Sequence, residues 1–230
     1  SAFLIYANRN TRSATVGTRY FIIQMVAGVL MLFGILLWVH ETQSLDFGAT
    51  YSSGDWQLYG MFGITIGYHR LLTHRGFTCP KWYEYILALL GSCCLQGPPG
   101  RWVGTHRAHH QFSDDELDPH SPTKSFFWSH MGWLFYDVEG YKPDQVCSRY
   151  APDLMRNRFY AWLEKDRNYI LVYLFHAAIY WLAGFGFGWW LGEGMMAGVQ
   201  LGTSLVVWGV LFRTVWVWHI TWSVNSVSHV

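Results

Sequence analysis

Two apolar stretches, 168–191 and 195–220, follow one another with only Gly192, Glu193 and Gly194 between them. A bilayer core about 30 Å thick takes about 20 apolar residues per helical crossing, so each stretch is long enough to cross, and the short tip makes them pair as a hairpin. Gly184, Gly188 and Gly192, and then Gly194, Gly198 and Gly202, recur at every fourth position, a spacing that lets helix backbones approach closely. We read that spacing as packing and not as function. A further stretch of crossing length is 20–39, and 55–68 is a shorter one whose missing length is expected from the Gly-rich and aromatic residues before it. The expected fold is all-α: one integral membrane domain over 1–230, with four transmembrane helices (20–39, 55–68, 168–191, 195–220) and a cytosolic helical cap over 69–167.

Composition agrees. Charged residues make up 13% of the sequence, about half the share of a soluble domain, against 51% hydrophobic residues. The 14 Trp and 14 Tyr are material for aromatic belts at both membrane surfaces. A net charge of +1 makes no case for nucleic acid. Arg9, Arg12 and Arg19 precede the first stretch, no Lys or Arg falls between Tyr20 and His69, and twelve lie from Arg70 to Arg167. Positive residues favour the cytoplasmic side, which places the N-terminus and the cap there and the linker with Glu41, Asp46 and Asp55, like the Glu193 tip, on the other side. The apolar run 20–39 is too long for a signal peptide's core. Cys79, Cys93, Cys94 and Cys147 form no metal-type pair and are read as reduced thiols.

Within the cap, 82–95 is too short to cross comfortably and reads as a buried or membrane-surface helix. Gln96-Gly97-Pro98-Pro99-Gly100 is a turn that interrupts the helical pattern after it.

Histidines then concentrate where the apolar stretches end: His69 and His74 in HRLLTH, and His106, His109 and His110 in HRAHH. On an α-helix His109 and His110 lie about 60° and about 40° from His106, so one face offers three imidazoles. His69 and His74 would stand about 140° apart on a straight helix, and the helix is expected to end or bend between them. Asn225 and His229 share a face at the end of 195–220. Such clusters repel when protonated and are costly to desolvate even when neutral, and a metal offsets both. Imidazole suits Zn, Cu, Fe and Ni. Zinc usually stops at three protein ligands and water, whereas six or more nitrogens suggest two ions and redox chemistry, so iron is favoured. Asp114, Asp115, Glu116 and Asp118 are candidates to fix histidine tautomers, and Ser113 with Glu116 has capping-box spacing for a following helix. His40 and His176 are read as ordinary core or surface residues, and His219 as off the Asn225 face. Arg213, inside an apolar stretch, calls for a partner.

The runs HRLLTHRGF, WVGTHRAHHQFSDDELDPHSP, FFWSHMGWLF and TWSVNSVSH closely resemble the membrane fatty acyl desaturases of the Δ9 type, from about Gly60 to the last residue. The resemblance implies four transmembrane helices, a cytosolic cap and a non-haem centre of two Fe ions. It carries over His69, His74, His106, His109, His110 and His229 as iron ligands, and Asn225 as a ligand through water. It also implies that O2 and two electrons turn the centre into an oxidant that takes hydrogens from adjacent methylenes of a saturated acyl group, leaving a cis double bond and water. A methylene far from the carbonyl has no acidic proton, so acid–base groups alone would not serve. The acyl group would lie in an apolar tunnel, for which Met61, Thr65 and Trp222 are the candidate lining. The implied electron donor is cytochrome b5 or ferredoxin, since this sequence has no haem-attachment or iron–sulfur cysteine pattern.

Two departures stand out. Family members carry a third box, HxxHH, beyond the position of His229, whereas this sequence runs from Ser1 to Val230, so the expectation is a fragment that is inactive alone. Animal acyl-CoA desaturases have Arg-Asp before the second box where Gly104 and Thr105 stand here, which looks more like bacterial or plant members and leaves the carrier open among CoA, glycerolipid and acyl-carrier protein. The competing readings are a hydroxylase on the same scaffold, which would retain oxygen in its product, and a non-catalytic metal- or lipid-binding membrane protein.

Overall fold

The computed structural model describes residues 57–227 apart from 114, 137–139 and 166. The stretch 20–39 therefore lies outside the described residues, as do His40, Glu41, Asp46, Asp55, Asp114 and His229. All regular structure among the described residues is helical. Helix α1, Gln57–Thr73, contains most of the stretch read as the second span and is wound as a π-helix. α2, Lys81–Ser92, lies along it. The two backbones touch where Gly63 meets Gly91, since a methyl group on Gly63 would stand 2.5 Å from the Gly91 nitrogen. Tyr68 and Ser92 join their hydroxyls across the same seam at 3.0 Å. One face of α2 is buried, with Leu87 and Ala88, and Trp82 and Ile86 face outward.

α3, Pro99–Phe112, begins two residues inside the predicted turn, with Gly97 at φ +105° before it and Pro99 in the first helical turn, where its missing N–H is no loss. The cap continues as short helices: α4, Phe126–His130; α5, Pro143–Tyr150; α6, Pro152–Met155; and α7, Arg158–Glu164. Proline opens α5 and α6, while side-chain oxygens of Ser125 and Asn157 cap α4 and α7. No helix follows Ser113, which ends α3; residues 115–124 run through turns to α4. The capping-box expectation for Ser113 and Glu116 is thus overturned, because the backbone there bends to bring Asp118 back towards α3.

Among the described residues two helices, not the expected four, are long and apolar enough to cross a membrane, Asn168–Leu191 and Gly194–Val227; α1, at 17 residues, is not one of them, and 20–39 lies outside the described residues. α8, Asn168–Gly188, passes through a π-wound turn to α9, Gly194–Val206, and a second π segment, Val207–Phe212, leads into α10, Arg213–Val227. Their outer faces carry exposed Phe175, Leu182, Phe187, Trp190, Met195 and Met196, an apolar exterior suited to lipid. α8 and α9 form the expected hairpin. A Cβ on Gly184 would lie 2.7 Å from Gly202 Cα, and one on Gly198 would lie 2.8 Å from the Phe185 oxygen. Gly194 is different, an open turn residue at φ +80°. Gly202→Val is therefore expected to cost about 1–3 kcal/mol through overpacking. A lowered melting temperature in detergent would report it, with Gly186→Ala as the control, since nothing lies within 4 Å of a Cβ there.

Arg213 is 1% exposed. Its guanidinium stands 3.9 Å over the Tyr59 ring, and Nη2 donates to the Cys93 carbonyl at 3.0 Å, which ties α10 to α1 and α2. No carboxylate pairs with it among the described residues. The partner that the sequence calls for is an aromatic face and a carbonyl.

Candidate metal centre

The five-residue interval between His69 and His74 is resolved by the winding of α1. An i→i+5 ladder sets residues five apart over one another, and the His74 N–H donates to the His69 carbonyl at 3.1 Å. Thr73 Oγ1 closes a parallel link to the Tyr68 carbonyl at 2.8 Å. The helix ends at Thr73, between the two histidines as expected, and the wide turn brings their Nε2 atoms to 3.0 Å. On α3, His106 and His110 are one α-turn apart and bring their Nε2 atoms to 3.1 Å. The two pairs meet, with the His69 and His106 rings 4.8 Å apart and those of His74 and His110 4.6 Å apart. One ligand nitrogen from each of the four lies within 4.8 Å of the others.

Arg107, between these histidines in sequence, holds the two helices together. Its Nη2 donates to the Leu72 carbonyl at 2.7 Å and its Nε to that of Thr73 at 3.4 Å, so it grips the open carbonyls at the end of α1. Nη1 meets Asp153 at 2.6 Å, and Arg75 reaches the same carboxylate at 2.7 Å. Burial alone would raise the Asp153 pKa, but the hydrogen bonds from Arg107 and Arg75 outweigh it and hold the carboxyl down at about 2. A depressed pKa contributes stability above the unfolded value and loses it as pH falls through the folded one. Asp153→Asn should therefore lower stability by about 1–2 kcal/mol near neutral pH, allowing for its partial exposure. The difference from the unmutated protein should shrink between about pH 4 and pH 2, as followed by thermal unfolding against pH.

The trio on α3 divides. His109 does not join the four; its Nδ1 lies 2.8 Å from Asp118 Oδ2, and its ring packs 4.4 Å from that of His120. The three imidazoles of α3 do lie close together, with the His109 ring 5.9 Å from that of His106 and 5.5 Å from that of His110, but the offset of about 60° turns His109 into the loop while His106 and His110 face α1. Of the acidic run, Asp115 and Glu116 are exposed and Asp118 is buried against a histidine. Sequence reasoning passes over His120, though DPHS lies only nine to twelve residues beyond His109.

α10 flanks the site. Gln96 donates to Thr221 Oγ1 at 2.9 Å and accepts from Trp102 Nε1 at 3.1 Å, and the Trp102 ring lies 5.0 Å from that of His106. Asn225 is half-buried near the end of α10, and His229 lies beyond the described residues. A second feature that sequence reasoning misses is the pair His130 and His219, whose Nε2 and Nδ1 are 3.0 Å apart, with Ser226 on the other nitrogen of His130 at 2.9 Å. Trp222 stands among their rings. Met61 is 45% exposed, and Thr65 is exposed with its hydroxyl turned back to the Gly60 carbonyl. An apolar groove of about 510 Å³ is lined by Leu89, Cys93, Trp162, Leu171, Phe175 and His176, with none of Met61, Thr65 or Trp222 in its wall. Gly104 packs under α5, where a Cβ would stand 2.6 Å from Val146 Cγ1, leaving no room for the arginine of the animal acyl-CoA members.

Burial, then the neighbouring His74 and His110 and the charge of Arg70, push His69 down to about 4. Burial and the surrounding histidines push His106 well below its ordinary value, and burial with Arg107 lowers His74. Neutral imidazoles with converging lone pairs fit a metal. The described residues thus define a helical protein with two helices of membrane-crossing length among them and a histidine cluster able to hold metal.

The chain belongs to the fatty acid desaturase family, whose model matches residues 53–230. It is 43% identical over 173 residues to the sn-2 palmitoyl-lipid 9-desaturase of Nostoc sp. (strain 36), covering 75% of this chain and 54% of that protein. It is also 43% identical over 170 residues to the sn-1 stearoyl-lipid 9-desaturase of Anabaena variabilis, covering 74% and 54%. To the acyl-CoA C20 Delta5-desaturase of Anemone leveillei it is 42% identical over 175 residues, covering 74% and 48%. The chain spans about half the length of the curated relatives it matches.

Proposed function

We propose that the protein to which this chain belongs is an acyl desaturase of the Δ9 type, which inserts a cis double bond into a saturated acyl group with a histidine-held pair of irons. The observation that carries this reading is the convergence of His69, His74, His106 and His110 from two helices to within 4.8 Å. These four would hold one iron, and His109, with Asn225 of α10 and with His229, would serve the other. When bound, the metals supply the power to use O2 against unactivated methylenes. The residues of this chain provide neutral ligands near pH 7 and, through Arg107, a fixed distance between the two helices. Exposed His74 and His110 form the open side of the cluster, where O2 and an electron donor such as cytochrome b5 or ferredoxin would have access.

Relatives named for lipid-linked and for CoA-linked acyl groups are equally similar, so the proposed substrate is an acyl group on either carrier, and the packing of Val146 against Gly104 separates this chain only from the animal acyl-CoA pattern. The four-span arrangement with the N-terminus and histidines cytoplasmic, and Met61, Thr65 and Trp222 along the acyl tunnel, belong to the same proposal. The test is expression of the full-length protein in a desaturase-deficient host, with the double bond located by mass spectrometry of derivatised acyl esters and iron measured in the purified protein. A new Δ9 double bond with bound iron supports the reading. Hydroxylated products would transfer it to the hydroxylase class, and unchanged lipids with no iron would refute it.

A further inference from the structure

His109 turns away from the imidazoles beside it and into a buried contact of its own. We propose that Asp118 positions His109 as a metal ligand, holding the imidazole proton on Nδ1 and so leaving the Nε2 lone pair for a metal. This rests on the di-iron reading above. The contact is 2.8 Å long, with the His109 and Asp118 side chains 4% and 0% exposed. A carboxylate only accepts, so His109 Nδ1 is the donor. The other oxygen, Oδ1, accepts the backbone N–H of His120 at 3.1 Å, and the His120 ring covers that of His109. Both oxygens are thereby engaged with the protein, the arrangement of a carboxylate that acts through His109. A buried carboxylate is costly to desolvate, and a neutral amide would be cheaper in the same space. Negative charge at this place has a use if it makes the far nitrogen more basic towards a cation, as a carboxylate–histidine–metal arrangement does.

The experiment uses the full-length protein and compares it with Asp118→Asn and Asp118→Glu. Asparagine has one oxygen and one NH2 where two donors now meet two oxygens, so with its oxygen on the His120 N–H it can satisfy His109 only if the imidazole proton moves to Nε2, the nitrogen the metal needs. Asp118→Asn is expected to weaken iron at one position about 10–100-fold. After dialysis against a chelator, bound iron should fall from about two per polypeptide towards one, and one of two Mössbauer components should fade. Asp118→Glu, which keeps two acceptors, should recover part of the loss. Asp118→Asn with the iron content and affinity of the unmutated protein overturns the proposal alone, whereas an unmutated protein without iron overturns the di-iron reading beneath it. A second measurement needs no Asp118 variant: 15N-imidazole NMR of the zinc-loaded protein, with His109 assigned by its loss in His109→Gln. A proton on Nδ1 supports the proposal, and a proton on Nε2 sinks it.

Discussion

His106→Ala in the full-length protein is expected to reduce desaturation to background and to empty one iron position, while leaving the melting temperature of the metal-free protein nearly unchanged. His106 is the hub of the cluster: its ring lies 4.8 Å from that of His69, 5.8 Å from that of His74 and 4.6 Å from that of His110. Burial and its neighbours already hold it uncharged, so truncation removes a ligand and relieves crowding at the same time. His110→Ala, at the exposed rim, should lose activity as well but retain more iron. Product analysis and metal content separate the two variants. Full activity in His106→Ala would rule out a metal centre at this place.

Arg107→Ala should do the opposite, lowering stability first and iron content as a consequence. The guanidinium makes five hydrogen bonds, to Leu72, Thr73, Tyr150 and both oxygens of Asp153. Removing it leaves three carbonyls without that donor and a half-buried carboxylate held by Arg75 alone. Bonds to charged groups contribute about 1.5–3 kcal/mol each but are not additive, and the group is partly solvated, so a loss of about 3 kcal/mol is expected. Arg107→Lys should restore little, because one ammonium cannot reach α1, Tyr150 and Asp153 together. Unfolding in detergent checks the stability change. Iron analysis at low temperature, where the variant is still folded, checks whether the two helices stay in register.

The hairpin is legible in the sequence because its signals are local: two apolar runs, a tip of three residues and glycines at every fourth position. The second run reads as ending at Ile220, whereas the helix extends to Val227. His219, Thr221, Ser223, Asn225 and Ser226 lower the apolar character without breaking the helix. The grouping of the histidines is also legible, since box spacing survives any reasonable winding. Its details are not. The π-wound end of α1 is held by bonds from Thr73 and His74 back to Tyr68 and His69 and by Arg107 on its last carbonyls, and in the sequence Arg107 is only one more positive charge. Periodicity places His109 with its neighbours because the residue that draws it away, Asp118, comes from a loop whose path no periodicity announces. The Ser113 and Glu116 spacing points to a helix start, and the demand of His109 for a partner prevails.

The wide winding of α1 has an evolutionary corollary. Four-residue spacing on an ordinary helix would align two imidazoles as well as five-residue spacing does on this one, but an intermediate with one trait and not the other would point its second ring away from α3. Deleting a single residue between His69 and His74 should therefore cost the cluster its second imidazole from this segment unless the coil tightens in the same step. In descendants of such a gene, segment length and helical pitch are inherited as one character.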